Sequence, residues 1–186
     1  PSASDNLGGL SRVATLKKTL MNENPNTIMV LGGDFLNPSF IGNLMLDSTR
    51  KVAGKHMVEV LNVAGLDYAT FGNHEFDISF DDLQARLNES KFTWFTSNVN
   101  YAIPNGIVPF KQGSRDVPKT IVRIFSNKKG QNLRLGMFSS LLPFNKREYV
   151  NYGHVYNAPK HYAGELRQRA DVILGLTHLD LAQDKE

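Results

Sequence analysis

The sequence predicts an α/β fold, in which short apolar strands alternate with amphipathic helices. Three apolar runs, TIMVLGG, LDYATFG and VILGLT, have the length and composition of strands buried on both faces of a sheet. Stretches with apolar residues at helical spacing lie between or beside them. Of the 186 residues, 41% are hydrophobic and 21% are charged, which is typical of a globular domain with a core of its own.

Charge and composition exclude several classes of function. The net charge is only +3 and no cluster of Lys or Arg exceeds a pair, so we expect no nucleic-acid partner. The absence of cysteine excludes disulfides, zinc thiolates and a cysteine nucleophile. No apolar run approaches the roughly 20 residues of a membrane span, and the opening PSASDNLGGL lacks the features of a signal peptide.

The first predicted helix lies between Gly8-Gly9 and the helix-breaking pair Asn24-Pro25. Its apolar positions recur at helical spacing, at Leu10, Val13, Leu16, Leu20 and Met21. A strand follows, continuously apolar from Ile28 to Leu31, and it ends in Gly-Gly-Asp.

Two further pairs of helix and strand follow. The first predicted helix covers residues 47–64, with Gly65 as its C-cap and the strand LDYATFG behind it. Its predicted apolar face consists of Val52, His56, Val60 and Val63. The second predicted helix covers residues 79–89, with Ser79 as its N-cap, and the strand-like run FTWFTSNV comes after it.

The second half of the chain is richer in strands. Residues 106–112, 117–125 and 133–138 predict β structure, and SNKKGQN predicts the turn between the last two, as neighbouring antiparallel strands. Residues 143–160 are predicted to be irregular. The run LRQRADVILGLTHLD predicts a helix, a buried strand over 172–176 and a polar exit at Thr177 and His178.

Each of the three buried strands ends in polar residues. Asp34 follows the first strand, Asn73, His74 and Asp77 follow the second, and His178 follows the third. Ligands of α/β sheets bind outside the carboxyl ends of the strands, so we expect these clusters to converge.

The residue types suit a metal site without sulfur ligands. A carboxylate oxygen at Asp34, an amide oxygen at Asn73 and an imidazole nitrogen at His178 are compatible with Zn, Mn, Fe or Mg. A carboxylate such as that of Asp34 can bridge two cations, which is the arrangement used for the hydrolysis of phosphate esters.

His74 and Asp77 predict a different role. If Asn73 faces a metal, the next side chain points elsewhere, so His74 can face a leaving group. Asp77, three positions further on, can accept a hydrogen bond from the far ring nitrogen, fix the tautomer and raise the imidazole pKa. The pair therefore predicts a general acid with an orienting carboxylate.

Every one of these residues also has a purely structural interpretation. Asp34, or Asn37 with Pro38, could form an Asx turn, and Asn73 or Asp77 could cap a helix. His74 and His178 could be ordinary histidines, satisfied at the surface or within the fold. We interpret Glu75 as solvated or as a support behind the site, and Phe76 as part of the core.

Three blocks of the sequence together resemble a known family. GGDFLNPS (32–39), GNHEFD (72–77) and LTHLD (176–180) are similar to the metal-binding blocks of the calcineurin-like metallophosphoesterases. The extended form GLDYATFGNHEFD, the later SNVN and the early GGLSRVATL resemble the 5'-nucleotidase branch in particular. The resemblance spans nearly the whole chain and is weaker over residues 100–160.

The resemblance implies a four-layer αββα sandwich and a centre of two divalent metal ions. Asp34 would bridge the metals, Asn73 would bind metal and also contact the phosphate, and His178 would bind the second metal. His74 with Asp77 would stabilise the transition state and assist the leaving group. The implied substrate is a nucleotide or another small phosphoester, and the implied location is periplasmic or extracellular.

The chain departs from the family pattern at both ends. A D-x-H block is expected on a first strand and a GHxH block near the end, and neither is found in residues 1–186. We therefore expect a partial, truncated catalytic domain that is inactive alone. A missing strand would expose apolar surface, which would allow a homo-oligomer to form through the exposed edge.

Other functions remain open on the sequence alone. A 2',3'-cyclic-nucleotide phosphodiesterase or a UDP-sugar hydrolase would carry the same blocks, because the pocket that distinguishes them lies elsewhere. A catalytically silent binding or scaffold module is a further alternative. A nuclease is disfavoured by the modest charge.

Overall fold

The computed structural model describes residues 8–144 and 147–185 of the chain. The first seven residues and Glu186 of the predicted domain lie outside the described residues, as do positions 145 and 146 of the segment predicted to be irregular. The described helices are α1 (Leu10–Glu23), α2 (Lys55–Ala64), α3 (Phe80–Glu89) and α4 (Asn157–Leu166). The described strands are β1 (Val30–Leu31), β2 (Tyr68–Ala69), β3 (Thr93–Trp94), β4 (Val99–Ile103), β5 (Gly106–Val108), β6 (Lys111–Gln112), β7 (Arg115–Asp116), β8 (Ile121–Ser126), β9 (Asn132–Leu141), β10 (Val150–Tyr152) and β11 (Val172–His178).

The strands form a mixed α/β architecture with parallel and antiparallel pairs. In the first sheet β1, β2 and β3 are parallel neighbours in that order. In the second sheet the order is β11-β9-β8, with β11 parallel and β8 antiparallel to β9. Strands β10, β4 and β5 form an antiparallel sheet, and β6 and β7 form a short hairpin.

The alternating faces of β9 establish the order of the layers. Ser139 exchanges hydrogen bonds with Ser97, in the segment that follows β3, so this face points toward the first sheet. On the opposite face, a Cβ at Gly136 would meet Leu166 of α4 at 3.0 Å, which places that helix behind the strand. Helices α2 and α3 share one hydrophobic core with the first sheet, to which they contribute Val58, Leu61, Leu83 and Leu87. The layers therefore run helix, sheet, sheet, helix, as the sandwich prediction requires.

Aromatic residues dominate the core between α2, α3 and the first sheet. Trp94 and Phe71 stack with ring centroids 4.9 Å apart, and both are fully buried. Phe76 packs against Phe71 from the turn that follows β2, so its interpretation as a core residue is confirmed. The apolar residues around the second polar cluster thus anchor that cluster to the core.

Several local predictions are confirmed. Helix α1 begins after Gly9 and ends before Asn24, as its flanking residues predict. Gly65 ends α2 in the left-handed conformation, and Ser79 caps α3 by accepting the N–H of Asp82 at 3.1 Å. Strands β8 and β9 pair through a turn at residues 127–131, inside the predicted SNKKGQN hairpin.

The prediction for the helix over 47–64 is wrong in both its start and its face. Residues 47–54 form a bend with a bridge between Met45 and Lys51, and α2 begins only after Gly54. The buried residues of α2 are Val58, Leu61 and Ala64, whereas Val63 of the predicted face is 86% exposed. Residues 47–54, which the predicted helix included, are not helical. The apolar stripe of α2 therefore differs from the predicted one.

The predicted strands are shorter or more exposed than the apolar runs suggest. The first sheet uses two residues from each run, and FTWFTSNV is divided between β3 and the start of β4. Strand β11 lies at the edge of its sheet, and its Val172 is 47% exposed, so the prediction of a buried strand there is wrong.

Two other segments also correct the sequence analysis. The stretch 143–160 contains β10 and the first turn of α4, and so is only partly irregular. Helix α4 ends at Leu166, close to where a helix was expected to begin. Within the described ranges, none of the helices combines the length and apolarity needed to cross a membrane.

Candidate functional site

Asp34 lies three residues beyond the end of β1, in a loop that touches the loop after β2. Its own φ of 59° and the φ of 90° at Gly33 turn the chain sharply at this point. A Cβ at Gly33 would lie 2.1 Å from the backbone nitrogen of Gly72, and a Cβ at Gly72 would lie 2.2 Å from Oδ1 of Asp34. The two glycines therefore allow the first and second polar clusters to meet.

Glu75 joins the same two loops from inside the protein. Its carboxylate is fully buried and accepts four backbone N–H groups, from Gly72 at 2.6 Å, Asp34 at 2.7 Å, Phe35 at 2.8 Å and Leu36 at 3.1 Å. Burial raises the pKa of Glu75, and the four N–H donors oppose that rise. The interpretation of Glu75 as solvated is wrong, and its position behind the Asp34 loop is that of a support.

The second cluster lies on a 3₁₀ turn over His74–Asp77, between β2 and α3. Nδ1 of His74 donates to Oδ2 of Asp77 at 2.6 Å, because a carboxylate oxygen accepts and the ring nitrogen must carry the proton. The same Oδ2 accepts Nδ2 of Asn37 at 2.8 Å. The hydrogen bond that His74 donates to Asp77 raises the pKa of His74, against a smaller opposing effect of burial. The His74 side chain is 39% exposed and can therefore meet a ligand.

Asp34 also contacts the second cluster directly. Its Oδ1 accepts the backbone N–H of His74 at 2.8 Å, which fixes the plane of the carboxylate and leaves Oδ2 facing away from the turn. The orientation of Asp34 is thus set by the backbone of the residue that follows Asn73.

His178, the last residue of β11, faces the free oxygen of Asp34. Its Nδ1 donates to the carbonyl oxygen of Gly32 at 2.8 Å, which assigns the proton to Nδ1. Its Nε2 lies 3.0 Å from Oδ2 of Asp34. Two electron-pair donors at this distance require a cation, either a second proton on the ring or a metal ion. A carbonyl that orients a histidine in this way is a usual support of a metal ligand.

A cavity of about 440 Å³ opens between the second and third clusters, beside the contact of His178 with Asp34. Asn73, His74 and His178 line it, together with Leu142, Phe144 and Asp180. The sequence-predicted site residues are therefore brought together from the ends of β1, β2 and β11, although as many as 144 positions separate Asp34 from His178.

The donor set fits one divalent cation. No group of three or more His, Cys, Asp or Glu side chains suited to a metal is found in residues 8–144 and 147–185. The carboxylate of Asp34 and the imidazole of His178 nevertheless converge, and Asn73, whose side chain carries an amide oxygen, lines the same cavity as His178. Three protein ligands with one open position are sufficient for a catalytic zinc ion.

Sequence reasoning missed one supporting residue of this site, Asn37, and left open whether Glu75 is solvated or a support behind the site. Glu75 lies inside the GNHEFD block, but three of its four N–H donors lie about 40 positions upstream, and no local pattern reveals them. Asn37 was interpreted only as a turn residue, whereas its side chain contacts Asp77. The sequence does offer a signal for this contact. Asn37 carries a donor amide three residues after Asp34, and Asp77 is an acid that needs a donor.

Comparisons with known proteins agree with this geometry. The profile of the calcineurin-like phosphoesterases matches residues 3–184. The 2',3'-cyclic-nucleotide 2'-phosphodiesterase/3'-nucleotidase of Salmonella typhimurium is 28% identical to 95% of this chain. The chain spans only 28% of the length of that relative.

Solved structures share the fold. The 5'-nucleotidase precursor from Thermus thermophilus superposes with a TM-score of 0.74 at 18% identity, over 96% of this chain and 33% of that one. The calcineurin-like phosphoesterase YfkN from Bacillus subtilis gives a TM-score of 0.67 at 21% identity, over 93% of this chain and 54% of that one. At these identities the likeness concerns the α/β architecture.

Proposed function

Because the chain belongs to the calcineurin-like phosphoesterase family, we propose that it carries part of the active site of a divalent-metal-dependent phosphoester hydrolase of the 5'-nucleotidase type. The observation that carries the proposal is the approach of His178 Nε2 to Asp34 Oδ2 at 3.0 Å, with Nδ1 of His178 already committed to Gly32. Nε2 of His178 and Oδ2 of Asp34 are therefore oriented so that both could bind one cation at the edge of the cavity.

Asp34, Asn73 and His178 would hold the metal. A bound divalent ion would polarise the phosphoryl oxygens and lower the pKa of a bound water toward neutrality. The backbone N–H of His74 holds Asp34 in the orientation that this role requires. Glu75 holds the Asp34 loop from behind through the N–H groups of residues 34 to 36.

His74 would act as the general acid. Its Nδ1 is bound to Asp77, so its Nε2 is the nitrogen available to the cavity, and it would donate a proton to the oxygen of the leaving group. The raised pKa of His74 favours the protonated form that this step uses. Asp77 would stabilise the imidazolium and keep the ring in one tautomer.

A centre of two metals needs more ligands than Asp34, Asn73 and His178. We propose that residues 1–186 form one part of the catalytic domain and that residues outside them supply the remaining ligands. The second metal and the choice of substrate would then belong to the full-length protein. This chain alone would bind one ion without turnover.

Metal titration tests the proposal on the chain itself. Calorimetry with Zn²⁺ and with Mn²⁺ should detect one site, which Asp34→Asn and His178→Gln each weaken by about 100-fold or more, since supporting residues alone cost 10- to 100-fold. His161→Gln is the matched control, because His161 is an exposed histidine on α4 that pairs with Glu165. Equal affinities in all four proteins would contradict the proposed site.

A second candidate is a 2',3'-cyclic-nucleotide phosphodiesterase with 3'-nucleotidase activity. It is favoured by the relatives from Salmonella typhimurium and Yersinia enterocolitica, which bear that name and are each 28% identical over 95% of this chain. Phosphate release by the full-length protein from 5'-AMP, 3'-AMP and 2',3'-cyclic AMP separates the two candidates. Preference for 5'-AMP supports the first, and preference for the other two substrates supports the second.

A further inference from the structure

Two residues just before β10, Arg147 and Tyr149, contact the turn that carries His74 and Asp77. The guanidinium of Arg147 donates through Nε to the carbonyl oxygen of Phe76 at 2.9 Å and through a terminal nitrogen to that of Asp77 at 2.7 Å. The hydroxyl of Tyr149 donates to the carbonyl oxygen of Ile78 at 2.9 Å. Two side chains thus bind three consecutive carbonyl groups.

These carbonyl groups lie at the carboxyl end of a short helical turn. The last carbonyls of a helix have no partner within it and carry partial negative charge, so a cation is a favourable partner for them. Two parallel bonds from one guanidinium also fix direction, which a single donor does not. Arg147 therefore restrains the backbone on both sides of the peptide bond that joins Phe76 to Asp77.

Packing against two aromatic rings holds Tyr149 where its hydroxyl reaches the carbonyl oxygen of Ile78. Its ring lies edge-on to Phe76 at 6.4 Å and to Phe80, at the start of α3, at 5.7 Å. Burial raises the pKa of Tyr149, so its hydroxyl remains a neutral donor throughout the working range of pH. The hydrogen bond to Ile78 continues the restraint that Arg147 applies.

The carboxylate of Asp77 is the group that this restraint controls. One of its oxygens accepts both His74 Nδ1 at 2.6 Å and Asn37 Nδ2 at 2.8 Å. A single oxygen can serve both donors only while the backbone of Asp77 stays in place. A displacement of about 1 Å in such an arrangement can cost on the order of 100-fold in rate.

We propose that Arg147 and Tyr149 are positioning residues, which hold Asp77 in contact with His74 by binding the backbone of the turn. The proposal rests on the proposed function, in which His74 is the general acid. It also gives a role to residues 147–149, part of the segment whose contribution the sequence left unexplained.

We call Arg147 and Tyr149, bound to the backbone of residues 76–78, the clamp. Proton NMR of the metal-free chain tests the clamp without any requirement for activity. The Nδ1–H of His74 should give a downfield resonance that His74→Gln removes. Arg147→Gln should abolish or broaden it, Arg147→Lys should weaken it, and Tyr149→Phe should shift it. Arg134→Gln is the matched control, because Arg134 pairs with Asp171 and lies seven residues before the end of β9, about 23 Å along the strand.

Leaving-group dependence in the full-length protein gives a second readout. Arg147→Gln should lower kcat for 5'-AMP by about 10-fold or more with little change in KM, because orientation of the acid is lost and binding is retained. Turnover of 4-nitrophenyl phosphate, whose leaving group needs no acid, should change less than about threefold on the same reasoning. A general loss of structure would reduce both rates together.

The two readouts have separate meanings. An unchanged Nδ1–H resonance in folded Arg147→Gln and Tyr149→Phe proteins overturns the clamp. If Arg147→Gln does not fold, the Arg147→Lys and Tyr149→Phe proteins decide the question by the same resonance. A full-length wild type without phosphoesterase activity would count against the proposed function, and the NMR result would then decide the clamp alone.

Discussion

The carboxylate of Glu75 accepts the backbone N–H of Asp34 at 2.7 Å, 41 positions away in the chain. Through the same oxygen it accepts the N–H of Gly72 at 2.6 Å. The loop that carries the proposed metal ligand is therefore attached to the loop that carries the proposed acid by a buried acceptor. Because both loops end strands of one sheet, Glu75 determines how the two clusters face each other.

Replacement of Glu75 by Gln should destabilise the protein by about 1–3 kcal/mol, the usual cost of a buried polar group left without its partner. The amide has the same size, but its NH₂ group would face backbone N–H donors that now have no acceptor. Urea unfolding of the metal-free chain measures the change. Glu23→Gln, at the exposed end of α1, should stay within about 0.5 kcal/mol of wild type, and an equal effect of the two variants would contradict the anchoring role.

Replacement of Gly72 by Ala should destabilise the protein by about 1–3 kcal/mol, as overpacking does elsewhere. The new Cβ would lie 2.2 Å from Oδ1 and 2.6 Å from the backbone nitrogen of Asp34, so one loop must move. Gly164→Ala is the control, because it lies within α4 with no atom within 4 Å of the new Cβ. That variant should be neutral or more stable by up to about 1 kcal/mol. Thermal unfolding of both proteins provides the comparison, and a stable Gly72→Ala protein would show that the loops need not touch.

The convergence of the strand ends could be predicted because ligands of α/β folds bind outside the carboxyl ends of the strands. Asp34 and His178 therefore meet as expected, although the strands that bring them are shorter or more exposed than their apolar runs suggest. The sequence left open whether Glu75 is solvated or a support, because burial of a carboxylate depends on N–H donors from a distant loop.

The buried faces of the helices differ from the apolar stripes in the sequence. In α1 the buried residue is Lys17, which binds the carbonyl oxygen of Gly65 and the carboxylate of Asp67, whereas Leu16 is 58% exposed. An apolar stripe indicates a helix but not what lies opposite it. A lysine that finds two acceptors can occupy the inner face instead.

Replacement of Asp77 by Asn should lower the pKa of His74 toward its ordinary value near 6.5. The hydrogen bond that His74 donates to Asp77 is the main cause of the raised pKa of His74 in the folded protein. A raised pKa contributes stability that is fully present below the unfolded value and is lost as the pH rises through the folded value. The stability lost in Asp77→Asn should therefore be larger at about pH 6 than at about pH 9.

NMR titration of His74 and urea unfolding at the two pH values measure these effects in the metal-free protein. Asp116→Asn is the control, because Asp116 lies on the β6–β7 hairpin with Lys111 as its distant partner at 3.8 Å. If the stability lost on substitution depended on pH in the same way in Asp77→Asn and in Asp116→Asn, the Asp77 carboxylate would not act through His74.

Anomalous diffraction from crystals grown with Zn²⁺ tests the central claim, that the three strand ends form one metal site. We predict a zinc peak bound by Oδ2 of Asp34 and Nε2 of His178, each at about 2.0–2.2 Å, with the Asn73 side chain turned toward it. A peak elsewhere, such as between His161 and Glu165, or no peak at a saturating zinc concentration, would contradict the claim.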